Sequence, residues 1–75
     1  MDNQHKVDEF IKLAEGSEFD DVYFEGIRFM GRPYNRIHFS YKGYNGTFDI
    51  SYDLFTRVSN ETIIKEILRG FKING

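Results

Sequence analysis

The hydrophobic period of this chain changes twice, from 3.6 to 2 and back, and that change limits the folds open to it. Ile37, Phe39 and Tyr41 alternate with Arg36, His38, Ser40 and Lys42. Phe48, Ile50 and Tyr52 alternate with Thr47, Asp49, Ser51 and Asp53. Both patterns describe strands with one buried face and one wet face. Such a sheet needs cover on one side only, and the flanking segments are suited to supply it. Val7, Phe10, Ile11 and Ala14 follow the i, i+3, i+4, i+7 series of an amphipathic helix, with Leu13 at its margin, which predicts a helix over Asn3 to Glu15. Asp2 or Asn3 is expected to cap its first turn, and Gly16 to end it in a left-handed conformation. Behind Ser59, a capping hydroxyl, and Glu61 in the first turn, Ile63, Ile64, Ile67, Leu68 and Phe71 form a second apolar stripe. Lys65, Glu66, Arg69 and Lys72 lie outside it. Val58 and Ile63 have the spacing of a hydrophobic staple, and Gly70 is expected to fray or cap the last turn.

The connections carry turn chemistry. Asn45-Gly46 is the preferred dipeptide of a type I′ turn, where both central residues need positive φ. It sets Lys42 opposite Asp49, Tyr41 opposite Ile50, Phe39 opposite Tyr52 and His38 opposite Asp53. A loop at Tyr44-Asn45 keeps the same faces but pairs Arg36 with Asp53. Upstream, Val22 and Phe24 share one parity while Ile27 and Phe29 share the other. Gly26 therefore marks either a bulge that returns both pairs to one face or the end of a separate short strand. Gly31-Arg32-Pro33-Tyr34-Asn35 reads as the connecting turn, with Pro33 presetting φ. The expected fold class is α+β: a two-layer sandwich in helix-strand-strand-strand-helix order, an antiparallel three-stranded meander with both helices on one face and the other face uncovered.

Seventy-five residues form one domain spanning 1–75, in which only about 60% of the unfolded chain's surface can be buried. Cysteine is absent, so that core must hold without disulfides or thiolate metal sites. Hydrophobic residues at 40% and charged residues at 29% describe a folded chain and exclude a disordered tail. No basic segment precedes an apolar run and no apolar run approaches bilayer length, so the reading is a cytoplasmic protein with no membrane role. In that compartment the acceptor patterns Asn45-Gly46-Thr47 and Asn60-Glu61-Thr62 carry no meaning. A chain that starts at Met1 and leaves no linker reads as a complete small gene product.

Few residues here can do chemistry. His5 falls at the start of the first helix. His38 lies on the wet sheet face with Asp53 or Asp49 across the strand, where a carboxylate could orient it for general-base work, but no nucleophile accompanies it and a cross-strand ion pair is the expected role. The glycines occur at strand ends or bulges and build no phosphate cradle, and Asp49 and Asp53 lack the further ligands of a calcium loop. The expectation is no catalytic residue, no metal and no cofactor.

Charge order says more than the net charge of -2. Glu15, Glu18, Asp20, Asp21 and Glu25 fall in a stretch without Lys or Arg. Arg28, Arg32, Arg36 and Lys42 fall in a stretch without acids. Arg28, Arg36, His38 and Lys42 are expected on the uncovered face, with Arg32, Tyr34 and Tyr44 on loops. Arg28, Arg32, Tyr34, Arg36, His38 and Tyr44 with the acids Glu18, Asp20, Asp21 and Glu25 form the candidate partner-binding surface. The helix, three strands, helix order and the length resemble double-stranded-RNA-binding domains, and Gly31-Arg32-Pro33-Tyr34-Asn35 loosely resembles that family's Gly-Pro-x-His loop. That family grips phosphate with a lysine cluster opening the last helix, whereas this chain has Ser59-Asn60-Glu61-Thr62-Ile63-Ile64-Lys65-Glu66, and no functional residue carries over. The expectation is a non-enzymatic protein-binding module. Its anticipated role is that of a phage or mobile-element product stoichiometrically inhibiting a host enzyme or defence complex, at a surface that handles nucleic acid. The alternatives are direct nucleic-acid binding through Arg28 to Lys42, and a self-associating protein or homodimer pairing through exposed strand edges.

Overall fold

The computed structural model describes residues 4–74, with side chains described for 4–70. The expected caps Asp2 and Asn3, and the side chains of Phe71 and Lys72, lie outside the described residues. The chain runs α1 (Gln4–Glu15), β1 (Phe19–Phe29), β2 (Arg32–Tyr41), β3 (Tyr44–Ser51), α2 (Tyr52–Arg57) and α3 (Asn60–Asn74). The sheet is an antiparallel meander ordered β1-β2-β3. Phe10 and Ala14 of α1, Phe55 of α2 and Ile63, Ile64 and Ile67 of α3 pack on Val22, Ile37, Phe39, Tyr41 and Ile50 of the sheet. Both sequence-predicted helices therefore cover one face, as the one-sided alternation requires, and the opposite face is open.

Both hairpins close through two-residue turns in which a non-glycine residue and a glycine take positive φ: Met30 (54°) with Gly31 (76°), and Lys42 (48°) with Gly43 (85°). This overturns both expected β2–β3 turns, at Asn45-Gly46 and at Tyr44-Asn45. The observed register sets Ile37 opposite Phe48, Phe39 opposite Gly46 and Arg36 opposite Asp49. Because the difference from the expected register is even, each residue keeps its face. The physical reason lies at Gly46, where a Cβ would stand 2.9 Å from Cε2 of the Phe39 ring. Gly46 is the floor on which Phe39 lies, and packing that ring outweighs the left-handed cost of about 1–2 kcal/mol at Lys42.

Three further expectations for the sheet are corrected. Gly26 is neither a bulge nor a strand end; β1 continues through it, and the register shifts instead between Phe19 and Asp21. That bulge turns Phe19 and Val22 to the core together and leaves Ile27 and Phe29 on the open face. Pro33 is not in a turn but pairs with Arg28 inside β2, beyond the last β2–β3 pair, where a missing N–H is tolerated. Tyr52 and Asp53 do not extend β3. Ser51 leaves the strand and its Oγ accepts the N–H of Leu54 at 3.1 Å, capping α2. The turn into α2 carries Phe55 to full burial, where its ring meets Phe24 at 5.5 Å and Phe10 at 6.3 Å.

The helix ends follow local rules with two differences. Ser59 Oγ accepts the Thr62 N–H at 3.2 Å, the expected cap of α3. Gly16 does not take positive φ; its N–H continues to Lys12 O at 3.1 Å and Ser17 bonds Ala14 O at 3.0 Å, so α1 ends by tightening its last turn. Gly70 neither frays nor caps, because α3 runs on to Asn74. One contact ties the three helices together. Lys6 Nζ donates to Val58 O (2.7 Å) and Asn60 Oδ1 (2.9 Å) while standing 4.3 Å from the centre of the Phe55 ring. Asn60 Nδ2 returns a bond to Lys6 O at 3.4 Å. Burial holds the Lys6 ammonium below the usual lysine value, against the pull of Glu9 and Glu61.

Replacing Gly46 with Ala should cost about 1–3 kcal/mol, because the Phe39 ring is itself packed and cannot swing clear; a lower urea midpoint with unchanged slope is the expected reading. Replacing Lys6 with Met removes charge-assisted bonds and leaves the buried Asn60 Oδ1 without its donor. A loss of about 1.5–3 kcal/mol is expected in the same measurement.

Candidate functional site

Parity decides what the open face displays. Residues directly opposite share a face, so the register builds cross-strand rows: Asp21, Ser40 and Asn45; Tyr23, His38 and Thr47; Glu25, Arg36 and Asp49; Ile27, Tyr34 and Ser51; Phe29 and Arg32. No described helix lies on this side.

The central rows are joined by ion pairs. Arg36 holds Asp49 in a two-pronged contact, Nε to Oδ1 at 2.9 Å and Nη2 to Oδ2 at 3.1 Å. The Arg36 guanidinium thereby lowers the Asp49 carboxyl below its usual range, and the Asp49 carboxylate raises Arg36. His38 Nε2 lies 2.7 Å from Glu25 Oε1; since a carboxylate only accepts, the proton sits on Nε2. The carboxylate partner of His38 is thus Glu25 on β1, not Asp49 or Asp53 as expected. The imidazole also stacks on Tyr23, with ring centres 4.4 Å apart and planes 4° from parallel.

Of the residues expected to contact a partner, six share this face: Arg32, Tyr34, Arg36, His38, Asp21 and Glu25. Tyr34 is a strand residue rather than a loop residue, half-buried with its ring 6.5 Å from that of Phe29. Arg32 and Tyr44 likewise open strands β2 and β3 instead of lying in loops. Arg28 and Lys42 are corrected off the open face. Arg28 has the parity of Val22 and Phe24 and reaches back to Gly31 O at 3.2 Å, whereas Lys42 forms the second turn beside Glu18 at 3.7 Å. Asp20 occupies the bulge. Sequence reasoning missed Tyr23, Ile27, Phe29 and Met30. The out-of-phase pair Ile27 and Phe29 was the available signal, since without a bulge at Gly26 their parity alone places them outward.

The two charge runs thus fold onto each other. The acidic stretch lies in and before β1, the basic stretch starts at Arg28 near the end of β1 and continues through β2 to its following turn, and the hairpin sets Glu25 opposite Arg36. The large hydrophobic side chains exposed on this side are Tyr23 at 54%, Phe29 at 64% and, in the turn, Met30 at 84%. Near the β2–β3 turn the twist opens a cleft of about 450 Å³ lined by Asp21, Tyr23, His38, Ser40, Asn45 and Thr47, with Phe39 and Gly46 beneath. Among the described residues no group of three or more His, Cys, Asp or Glu is placed to hold a metal ion, and no helix is long and apolar enough to cross a membrane. No protein-family model, curated protein or solved structure matches the chain.

The Arg36–Asp49 pair gives the face a pH dependence with a definite sign. A carboxyl whose folded value is lowered stabilises the fold above its unfolded value and loses that contribution as pH falls through the folded one. The urea midpoint should therefore decline below about pH 4, and Asp49→Asn should flatten part of that decline.

Proposed function

We propose that this chain is a non-catalytic protein-binding module that docks through its open sheet face and acts by occupying a partner's surface, as a stoichiometric inhibitor does. One observation carries the reading: the face is uncovered, its ion pairs are closed within the chain, and its large hydrophobic side chains are exposed Tyr23 and Phe29, half-buried Ile27 and Tyr34, and exposed Met30 in the adjoining turn. Aromatic side chains and arginine, here Arg32 beside Phe29, are the residues on which binding free energy concentrates at protein interfaces. The same pairing weighs against nucleic acid. A phosphate-binding surface needs an excess of unpaired cations, whereas Arg36 and His38 already hold carboxylates and Lys42 stands beside Glu18.

The test is affinity capture with three forms of the immobilised chain: unaltered, Phe29→Ala, and Lys65→Glu on the outer surface of α3. A partner should bind the first and third equally and the second at least about tenfold more weakly, the effect of one central aromatic anchor. Retention indifferent to Phe29, or salt-sensitive retention of an oligonucleotide in place of a protein, would overturn the proposal.

A further inference from the structure

We infer that the cleft at the β2–β3 turn end of the open face receives an arginine side chain from the protein partner, with Asp21 as its carboxylate. The inference rests on the docking reading above and gives the partner a chemistry. In the neighbouring row Arg36 and Asp49 satisfy each other, and His38 satisfies Glu25. In the cleft the situation is reversed: among the described residues the side chains of Asp21, Ser40, Asn45 and Thr47 hold no hydrogen bond or ion pair, although all four line one concavity.

The lining specifies its occupant. Asp21 accepts only, and Ser40 Oγ, Thr47 Oγ1 and Asn45 Oδ1 can all accept, so the set matches a group with several donors and no acceptor. Asp21 is the one carboxylate of the lining, and the His38 ring is already engaged by Glu25. The complementary charge is therefore positive. One wall is the stacked pair of Tyr23 and His38 rings, an aromatic surface against which a flat group can lie. A planar guanidinium meets all three requirements: it lies flat against the aromatic wall, forks onto the carboxylate and has donors left for the hydroxyls. An ammonium is a point charge that stacks poorly. The volume of about 450 Å³ admits such a side chain together with part of the backbone that presents it.

The experiment is a two-dimensional ¹⁵N–¹H NMR titration of the full chain with N-acetyl-arginine-amide, its lysine counterpart, its neutral isostere N-acetyl-citrulline-amide, and methyl glucoside. Saturable shifts are expected at Asp21, Tyr23, Ser40, Asn45 and Thr47 with the arginine probe, weaker ones with lysine and none with citrulline. Asp21→Asn, an exposed position, should weaken binding about tenfold, the effect of one charge-assisted contact, and Thr47→Val should weaken it less. Equal response to citrulline, response to the sugar alone, or an arginine titration that never saturates would overturn the inference. Its failure is separable from that of the docking reading. Partner capture that depends on Phe29 but ignores Asp21→Asn leaves the docking face standing and removes the arginine site. Arginine binding with capture indifferent to Phe29 does the reverse.

Discussion

The fold depends on the register of the β2–β3 hairpin, held by the Phe39 ring lying over Gly46. With those residues opposite each other, Ile37 meets Phe48, Ile50 is buried and the strand ends at Ser51. Only because the strand ends there is Ser51 free to cap α2, and only through α2 does Phe55 reach the centre of the core. Phe55 then forms a three-ring cluster with Phe10 and Phe24 and a platform for the Lys6 ammonium. Each aromatic pair contributes about 0.5–1.5 kcal/mol beyond its area. In a domain of this size, without covalent staples, contributions of that order are a sizeable part of the stability.

The same hairpin geometry changes the meaning of the charges. Along the chain the acidic and basic runs look like two separate patches, each suited to an oppositely charged partner. In space they are the two arms of one hairpin, and Glu25, His38, Arg36 and Asp49 combine into closely spaced pairs on the open face. Exposed pairs of this kind stabilise the fold only weakly. Their larger consequence is for recognition: they cancel long-range fields and leave aromatic contact, together with the unpaired groups around Asp21, as the means of discrimination.

Legibility followed the range of the forces involved. Helices α1 and α3 were readable because apolar spacing and a Ser59 cap act within a turn or two. The faces of β2 and β3 were readable because alternation assigns them whatever the register. The turn was not readable, since Asn45-Gly46 has the stronger local preference and yields to a packing contact between residues on different strands. Helix α2 was hidden for a related reason: Tyr52 continues the strand's alternation, and what ends the strand is the burial of Phe55 against residues distant in sequence. In the candidate site, Arg32, Tyr34, Arg36, His38, Asp21 and Glu25 could be named from residue type and order. Tyr23 and Phe29 could not, because their exposure depends on where the β1 bulge falls.

The amino-acid sequence by itself therefore determined the class of fold, the one-sided core and the existence of an open face. These follow from periodicity, which each segment carries internally. The tertiary structure alone decided the register, the short helix α2, the partners of the charged groups and the cleft beside Asp21. Each of these comes from two segments competing for the same space, and no local preference can settle such a competition.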